Sequence, residues 1–273
     1  MGRVFASSDW HGTGYLADKV FKFLKPDDTL YFLGDATDRN PDGIKIFQTL
    51  MTRPNTFYIM GNHDDFLIKA IEQINYDEDE IEGRPPIKND PRFDITWWTD
   101  INGGEATYHD IWKLTKVERL KIYNFIKNMP LAEIYHSPKG HNVILEHAGY
   151  SPFQFTNRRH DPLWDREHFH DSWDGGWDPN EYGAKNTYLV HGHTPVQYLK
   201  FHFGYEGEQP LTKEERQYKK EFMEDVPTEY KPTILRYCAG HKFDIDMCTI
   251  CSNRVALLDL DTFEEYYFDG KDE

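Results

Sequence analysis

Six residues able to bind a metal ion recur along this 273-residue sequence, each just beyond a short apolar run: Asp9 with His11, then Asp35, Asn62, His147 and His193. The stretch Gly34-Asp35-Ala36-Thr37-Asp38-Arg39-Asn40 is the most informative. It follows Leu30-Tyr31-Phe32-Leu33, which reads as a buried strand, so Asp35 stands where a strand runs out into a loop. Three residues on, Asp38-Arg39 sets a carboxylate beside a guanidinium, one group to orient a neighbour and one to grip an anionic oxygen. Alone this would be a turn with a surface ion pair; its recurrence down the chain argues for a site. Oxygen and imidazole donors in this mix suit two hard or borderline ions such as Mn, Fe or Zn, with one carboxylate bridging them at about 3.5–4 Å.

The elements that must position these residues alternate. Arg3 to Ser7 reads as a first strand ending at Asp9-Trp10-His11-Gly12, where an extended segment would put Asp9 and His11 on one side and within reach of one ion. Leu16, Val20, Phe21 and Leu24 recur at helical spacing until Pro26. A helix near Gly43 to Met51 leads to the strand Thr56 to Met60, then Gly61-Asn62-His63-Asp64 and a helix face of Phe66, Leu67, Ala70, Ile71 and Ile74. Strand, ligand loop, helix, strand is a βαβ unit, which implies a mostly parallel sheet with ligands at the carboxyl ends. Residues 75 to 110 break this rhythm and read as an excursion outside the sheet. Thr115 to Glu118 is a capping-box pattern that opens a helix to about Asn128. A hairpin over 131 to 146 delivers His147-Ala148-Gly149, and Thr187 to Val190 delivers His191-Gly192-His193-Thr194-Pro195. Residues 150 to 185 read as loop, and 197 to 235 as a charged insertion with a second capping-box pattern at Thr212 to Glu215. Phe243 to Met247, Val255 to Leu260 and Glu265 to Phe268 read as closing strands of a second sheet.

The net charge of −16 argues against a nucleic-acid polymer or an anionic membrane as the main partner. No apolar stretch approaches the ~20 residues that span a bilayer, and the first residues enter a strand without a basic-then-apolar leader. Three cysteines cannot make a full disulfide set, which points to a reducing, cytoplasmic setting.

Asp9-Trp10-His11-Gly12, Gly34-Asp35 through Asp38-Arg39, Gly61-Asn62-His63-Asp64, His147-Ala148-Gly149, Leu163-Trp164-Asp165-Arg166 and Gly192-His193-Thr194-Pro195 together resemble the calcineurin-like metallophosphoesterases, specifically the phosphoprotein-phosphatase type of bacteria and phages. Asn102-Gly103-Gly104 with Thr107, and Asp244-Ile245-Asp246, are similar to further segments of that family. Asn40 departs from its usual glycine, and Asp64 from the glutamate of many members. The resemblance implies one α/β domain over residues 1–273, an αββα sandwich of two mixed sheets flanked by helices with a dimetal site at the strand ends, carrying insertions at about 75–110, 150–185 and 197–235. It implies one ion on Asp9, His11 and Asp35 and a second on Asp35, Asn62, His147 and His193, manganese being the first expectation and iron or zinc the others. A water shared by two cations is acidified enough to attack phosphorus in line. Arg39 and Arg166 would hold phosphoryl oxygens, and His63, held by Asp38, would protonate the departing oxygen. The expected substrate is a phosphoserine or phosphothreonine protein, or a small phosphoester; a dinucleoside polyphosphate or other nucleotide is the alternative. A non-catalytic scaffold would have lost ligands, and none is lost.

Other residues have plainer readings. His191 precedes His193 by two, but the family pattern assigns only His193. Arg158, Arg159, His160, His168 and His170 read as solvated loop, although Arg158 or Arg159 could replace Arg166 as the clamp. Cys238, His241, Cys248 and Cys251 have zinc-like spacing, yet a strand between the pairs would hold them about 20 Å apart. Trp97, Trp98, Trp164, Trp173 and Trp177 read as packing under long loops, with a nucleobase platform as the lesser reading.

Overall fold

The computed structural model describes residues 2–81, 93–149, 161–166, 185–201, 212–213, 215 and 230–270. Two five-stranded sheets carry the chain, ordered β10-β9-β1-β2-β3 and β4-β5-β6-β8-β7. In the first, β1 (Val4–Ser7), β2 (Thr29–Phe32) and β3 (Thr56–Tyr58) run parallel, with Ala6 opposite Tyr31 and Phe32 opposite Tyr58. The helices α1 (Gly14–Phe23) and α2 (Gly43–Thr52) make the crossovers. In the second sheet β4 (Ala132–His136) and β5 (Asn142–Glu146) form the expected hairpin, and β6 (Thr187–His191) joins β5 in parallel. Two short strands complete it, β8 (Lys242–Asp244) parallel to β6 and β7 (Leu235–Tyr237) antiparallel to β8.

Successive side chains of a strand face opposite ways, and β1 uses both faces. Phe5 packs outward with Leu16, Val20, Phe47, Leu67, Ile71 and Ile122 of the helical layer. Ala6, with Leu33 and Ile59, packs inward against Val143, Leu145 and Val190 of the second sheet and Val196 and Leu199 of α6 (Val196–Phe201). The two mixed sheets thus stack face to face with helices flanking them, the αββα sandwich that the resemblance implies, and Val196 and Leu199 of α6 share the core of the second sheet.

One expectation needs correction. β9 (Arg254–Asp259) and β10 (Glu265–Asp269) belong to the first sheet, where Ala6 pairs with Leu258 and β10 extends the edge; they do not close the second. Outside the sheet, as expected, α3 (Asn62–Ile81) continues beyond Ile74 through the acidic residues 77 to 80. Carboxylates oppose the dipole of a helix C-terminus, but here tertiary partners outweigh that cost: buried Arg119 reaches Glu78 at 2.5 Å and Asn75 at 3.1 Å. Beyond residue 92 the excursion is helical, a π turn over Trp97–Ile101 followed by α4 (Glu105–Lys113). Both capping boxes form. Thr115 and Glu118 exchange bonds at the start of α5 (Lys116–Lys127), and Thr212 and Glu215 do the same at 2.8 and 3.1 Å. No helix among the described residues is long and apolar enough to cross a membrane.

Candidate metal centre

All five loops converge. Asp9 and His11 follow β1, Asp35 follows β2, Asn62 and His63 open α3, His147 follows β5 and His193 follows β6. The means differs from the pleat alternation read in the sequence. Asp9 and His11 lie in left-handed backbone at φ 56° and 41°, as do Asp35, Asp38, Arg39 and His193. Non-glycine residues avoid this region at about 1–2 kcal/mol each, and such positions gather at functional sites. The turns are held from outside, with Asp9 N–H on the Gly34 carbonyl and His11 N–H on the Asp35 carbonyl, both at 3.1 Å. Gly34 is itself at φ 90°, and a Cβ there would meet Gly61 N at 2.5 Å and His147 Nδ1 at 2.9 Å, so the loops could not close on any other residue.

Around Asp35 the ligand-type atoms stand mostly at separations longer than hydrogen bonds. Asp35 Oδ2 lies 3.4 Å from His147 Nε2, 3.9 Å from His63 Nε2 and 4.0 Å from His11 Nε2, and Asp9 Oδ1 lies 3.8 Å from His11 Nε2. Ligands that each sit about 2 Å from a shared ion are spaced on this scale. Two buried groups are able to hold an ion, His11 with Asp35 and His63, and Asp9 with Asp35 and His147; Asp35 is common to both. Asn62 Oδ1 meets His147 Nε2 at 2.9 Å and His193 Nδ1 at 3.0 Å, while the buried Nε2 of His193 has no hydrogen-bond partner among the described residues. Tautomers are set from behind: the Nδ1–H of His147 donates to Leu33 O at 2.6 Å and that of His11 to Thr37 O at 3.0 Å, which turns each Nε2 inward. The residues present thus fit a pair of cations.

The electrostatics call for positive charge. Burial raises the Asp9 carboxyl, with neighbouring Asp35 adding to the rise. Burial would raise Asp35 too, but His147, His63 and His11 outweigh it and hold its carboxyl well below the usual range. Burial would lower His147, yet Asp35 and Asp9 push it up to about 10. Burial, then Arg39 and His63, holds His11 well down, and burial with His147 does so for His193.

Behind this centre, His63 Nδ1–H donates to Asp38 Oδ2 at 2.5 Å, both residues buried. Arg39 and Arg166 keep solvent access at the rim. The Arg166 guanidinium is nonetheless partly desolvated, which lowers its pKa, and its charged neighbours include Asp246, Arg39 and Asp9. The resemblance gave no role to several supporting residues. Asp64 accepts from Gly61 N–H at 2.9 Å, Asp35 N–H at 3.3 Å and the Tyr58 hydroxyl at 2.9 Å, tying its own turn to the Asp35 loop and to the end of β3 where the family often has glutamate. Asn40 donates to His11 O at 2.9 Å and Thr13 Oγ1 at 3.2 Å, work a glycine could not do. Thr249 Oγ1–H donates to Asp9 O at 2.7 Å. Ser8 also bonds the Asp9 carboxylate. The family segments at Asp64 and Thr107 were signals for part of this; nothing in the sequence marked Tyr58 or Thr249.

His191 lies outside both ligand groups. Its Nε2 meets the Tyr237 hydroxyl at 2.6 Å, and burial pushes its pKa down to about 3. Cys248 and Cys251 are joined as a disulfide and Cys238 is left over, which withdraws two donors from the zinc-like set. His241 Nδ1–H donates to Thr187 O and its ring stacks on Tyr188. Trp98 is fully buried, but Trp97 is 42% exposed. Trp164 packs against the helical-layer core through Phe66, as the packing reading expects, and also lies edge-on to His193 with ring centres 5.8 Å apart and 6.4 Å from Trp97. Arg158, Arg159, His160, His168, His170, Trp173 and Trp177 lie outside the described residues.

Two stacked sheets that bring together two groups able to hold a cation, with Asp35 common to both, form the setting of a dimetal site. The chain belongs to the calcineurin-like phosphoesterase family, which it matches over residues 2–241. It is 24% identical over 126 residues to the symmetrical bis(5'-nucleosyl)-tetraphosphatase of Delftia acidovorans, an alignment covering 46% of this chain and 35% of that protein. The chain thus spans about a third of the length of the curated relative it matches. Among solved structures it is similar to a metallophosphoesterase from Sphaerobacter thermophilus (TM-score 0.51, 13% identity, 99% of this chain and 88% of that one). A protein serine/threonine phosphatase from Saccharomyces cerevisiae shares the fold at TM-score 0.50 and 11% identity, over 100% of this chain and 81% of that one.

Proposed function

We propose that this chain is a single metallophosphoesterase domain that removes phosphate from serine or threonine of phosphoproteins, with manganese as its working metal and the cytoplasm as its setting. Asp9, His11 and Asp35 would hold one ion, and Asp35, Asn62, His147 and His193 the other; cations there supply charge neutralisation and an acidified water. Arg39 and Arg166 grip the phosphoryl oxygens from the rim, where bidentate geometry and permanent charge count most. Asp38 holds His63 by Nδ1, and His63 gives the proton on Nε2 to the departing oxygen. The observation that carries this reading is the buried Asp38–His63 pair at 2.5 Å, since an alkoxide is a poor leaving group that needs an acid, whereas a polyphosphate leaves readily.

A second reading, hydrolysis of a dinucleoside polyphosphate or other nucleotide, is favoured by the Trp164 ring beside His193 with half-exposed Trp97 next to it, aromatic surface on which a base could stack, and by the named activity of the Delftia acidovorans relative. A phosphoserine peptide, diadenosine tetraphosphate and a 2',3'-cyclic nucleotide assayed side by side on manganese-loaded protein decide between them. The peptide is expected to show the highest kcat/KM; a clear lead for diadenosine tetraphosphate overturns the first reading in favour of the second, and no turnover of any would support a scaffold.

Because phosphoryl charge changes in the transition state, Arg166→Ala is expected to lower kcat as well as raise KM, with kcat/KM down by about a hundredfold. Steady-state kinetics check this. Unchanged kinetics, together with a crippled Arg158→Ala or Arg159→Ala, would move the clamp along the loop.

A further inference from the structure

The two oxygens of the Asp38 carboxylate are used unequally. Oδ2 accepts from His63 Nδ1 at 2.5 Å and from the indole Nε1–H of Trp98 at 2.7 Å, while the buried Oδ1 has no hydrogen-bond partner among the described residues. Trp98 is fully buried and lies in the π turn Trp97–Ile101, a wider turn than an α-helix makes and one often found at functional sites. Its carbonyl accepts from Asn102 N–H at 3.2 Å and Gly104 N–H at 3.1 Å, and Gly104 lies so close that a Cβ there would overlap the indole. The segment that seats the indole also seats the neighbouring backbone. Thr107 Oγ1 accepts from Asp38 N–H at 2.8 Å, and Gly103 O accepts from Arg39 N–H at 2.7 Å.

We infer that Trp98 is a positioning residue for the proton donor: its indole N–H pins the Asp38 carboxylate so that Oδ2, and not Oδ1, faces His63. A buried indole needs some acceptor, and a backbone carbonyl would serve packing equally well. Here the acceptor is the one oxygen that orients His63, and a second donor on that oxygen removes the rotational freedom a carboxylate with an unpartnered Oδ1 would otherwise have. The inference rests on the reading of His63 as the acid that serves the leaving group.

The test is a leaving-group comparison on the manganese-loaded enzyme with four proteins: wild type, Trp98→Phe, His63→Asn and the double variant. Trp98→Phe keeps a ring and removes the N–H; if it folds poorly by thermal melt, 3-benzothienylalanine at position 98 keeps the indole's shape with sulfur in place of N–H. Loss of the N–H is expected to slow a phosphoserine peptide about tenfold, the low end for a partner standing behind a functional group, and to leave p-nitrophenyl phosphate within about twofold. In the His63→Asn background it should cost nothing further on the peptide, because the group it positions is gone. Equal losses on both substrates, no loss on either, or an additive loss in the double variant overturns the inference. If His63→Asn discriminates between the substrates and Trp98→Phe does not, the Trp98 inference alone falls; if His63→Asn does not discriminate, the acid reading falls and takes this one with it.

Discussion

Replacing Asp35 by asparagine is expected to cut turnover by about a thousandfold or more, beyond the usual effect of removing one preorganised charge-stabilising group, and to leave fewer than two metal ions per chain. Asp35 is the member common to both ligand groups, and its Oδ2 faces three imidazoles. The substitution is a clean one, because an asparagine oxygen can still accept the His63 N–H that Asp35 Oδ1 takes at 3.0 Å. Loss of activity with an unchanged melting temperature therefore reports on the metal pair and not on the loop. Elemental analysis alongside kinetics checks it; near-wild-type turnover with two ions bound would show that Asp35 bridges nothing.

The second large effect is on His63, whose Nε2 faces Asp35 while Nδ1 is held by Asp38. This geometry permits two roles, since His63 also falls in a ligand group with His11 and Asp35. As a general acid, its loss should cost roughly 10²–10⁴ on a phosphoserine peptide, where an alkoxide must leave, and far less on p-nitrophenyl phosphate, whose phenolate departs unaided. His63→Asn should show that split with metal content intact, and Asp38→Asn a milder version of it. Equal losses on both substrates together with lost metal would make His63 a ligand.

Much of this centre could be read from the chain because apolar runs such as Leu30 to Leu33 and Thr187 to Val190 signal buried strands strongly, and the polar residue that ends each run stands out against it. What could not be read has physical causes. Val255 to Leu260 is apolar on both faces, so its pattern says that it is buried but not which sheet receives it; the structure pairs it with β1. The left-handed turns at Asp9 and His11 depend on carbonyls donated by the 34–35 loop, contacts that no local propensity encodes. In Trp97-Trp98 the residue type is the same at both positions, and it is the fold of the π turn that sends one ring into the core beside Asp38 and leaves the other half-exposed against Phe66.

The pairing of β1 with β9 bears on how the protein is made. Asp9, the first of the candidate ligands to leave the ribosome, lies just beyond β1, whose antiparallel neighbour is Leu258 to Asp259, and its carbonyl is clasped by Thr249. His147 and His193 arrive between them on the other sheet. A nascent chain stopped before residue 249 would thus have its early ligands translated but one flank of β1 left as an open edge, prone to pair with other chains. On the assignment proposed above, the site is completed only once β9 has been made and has paired with β1, and metal capture would follow that pairing.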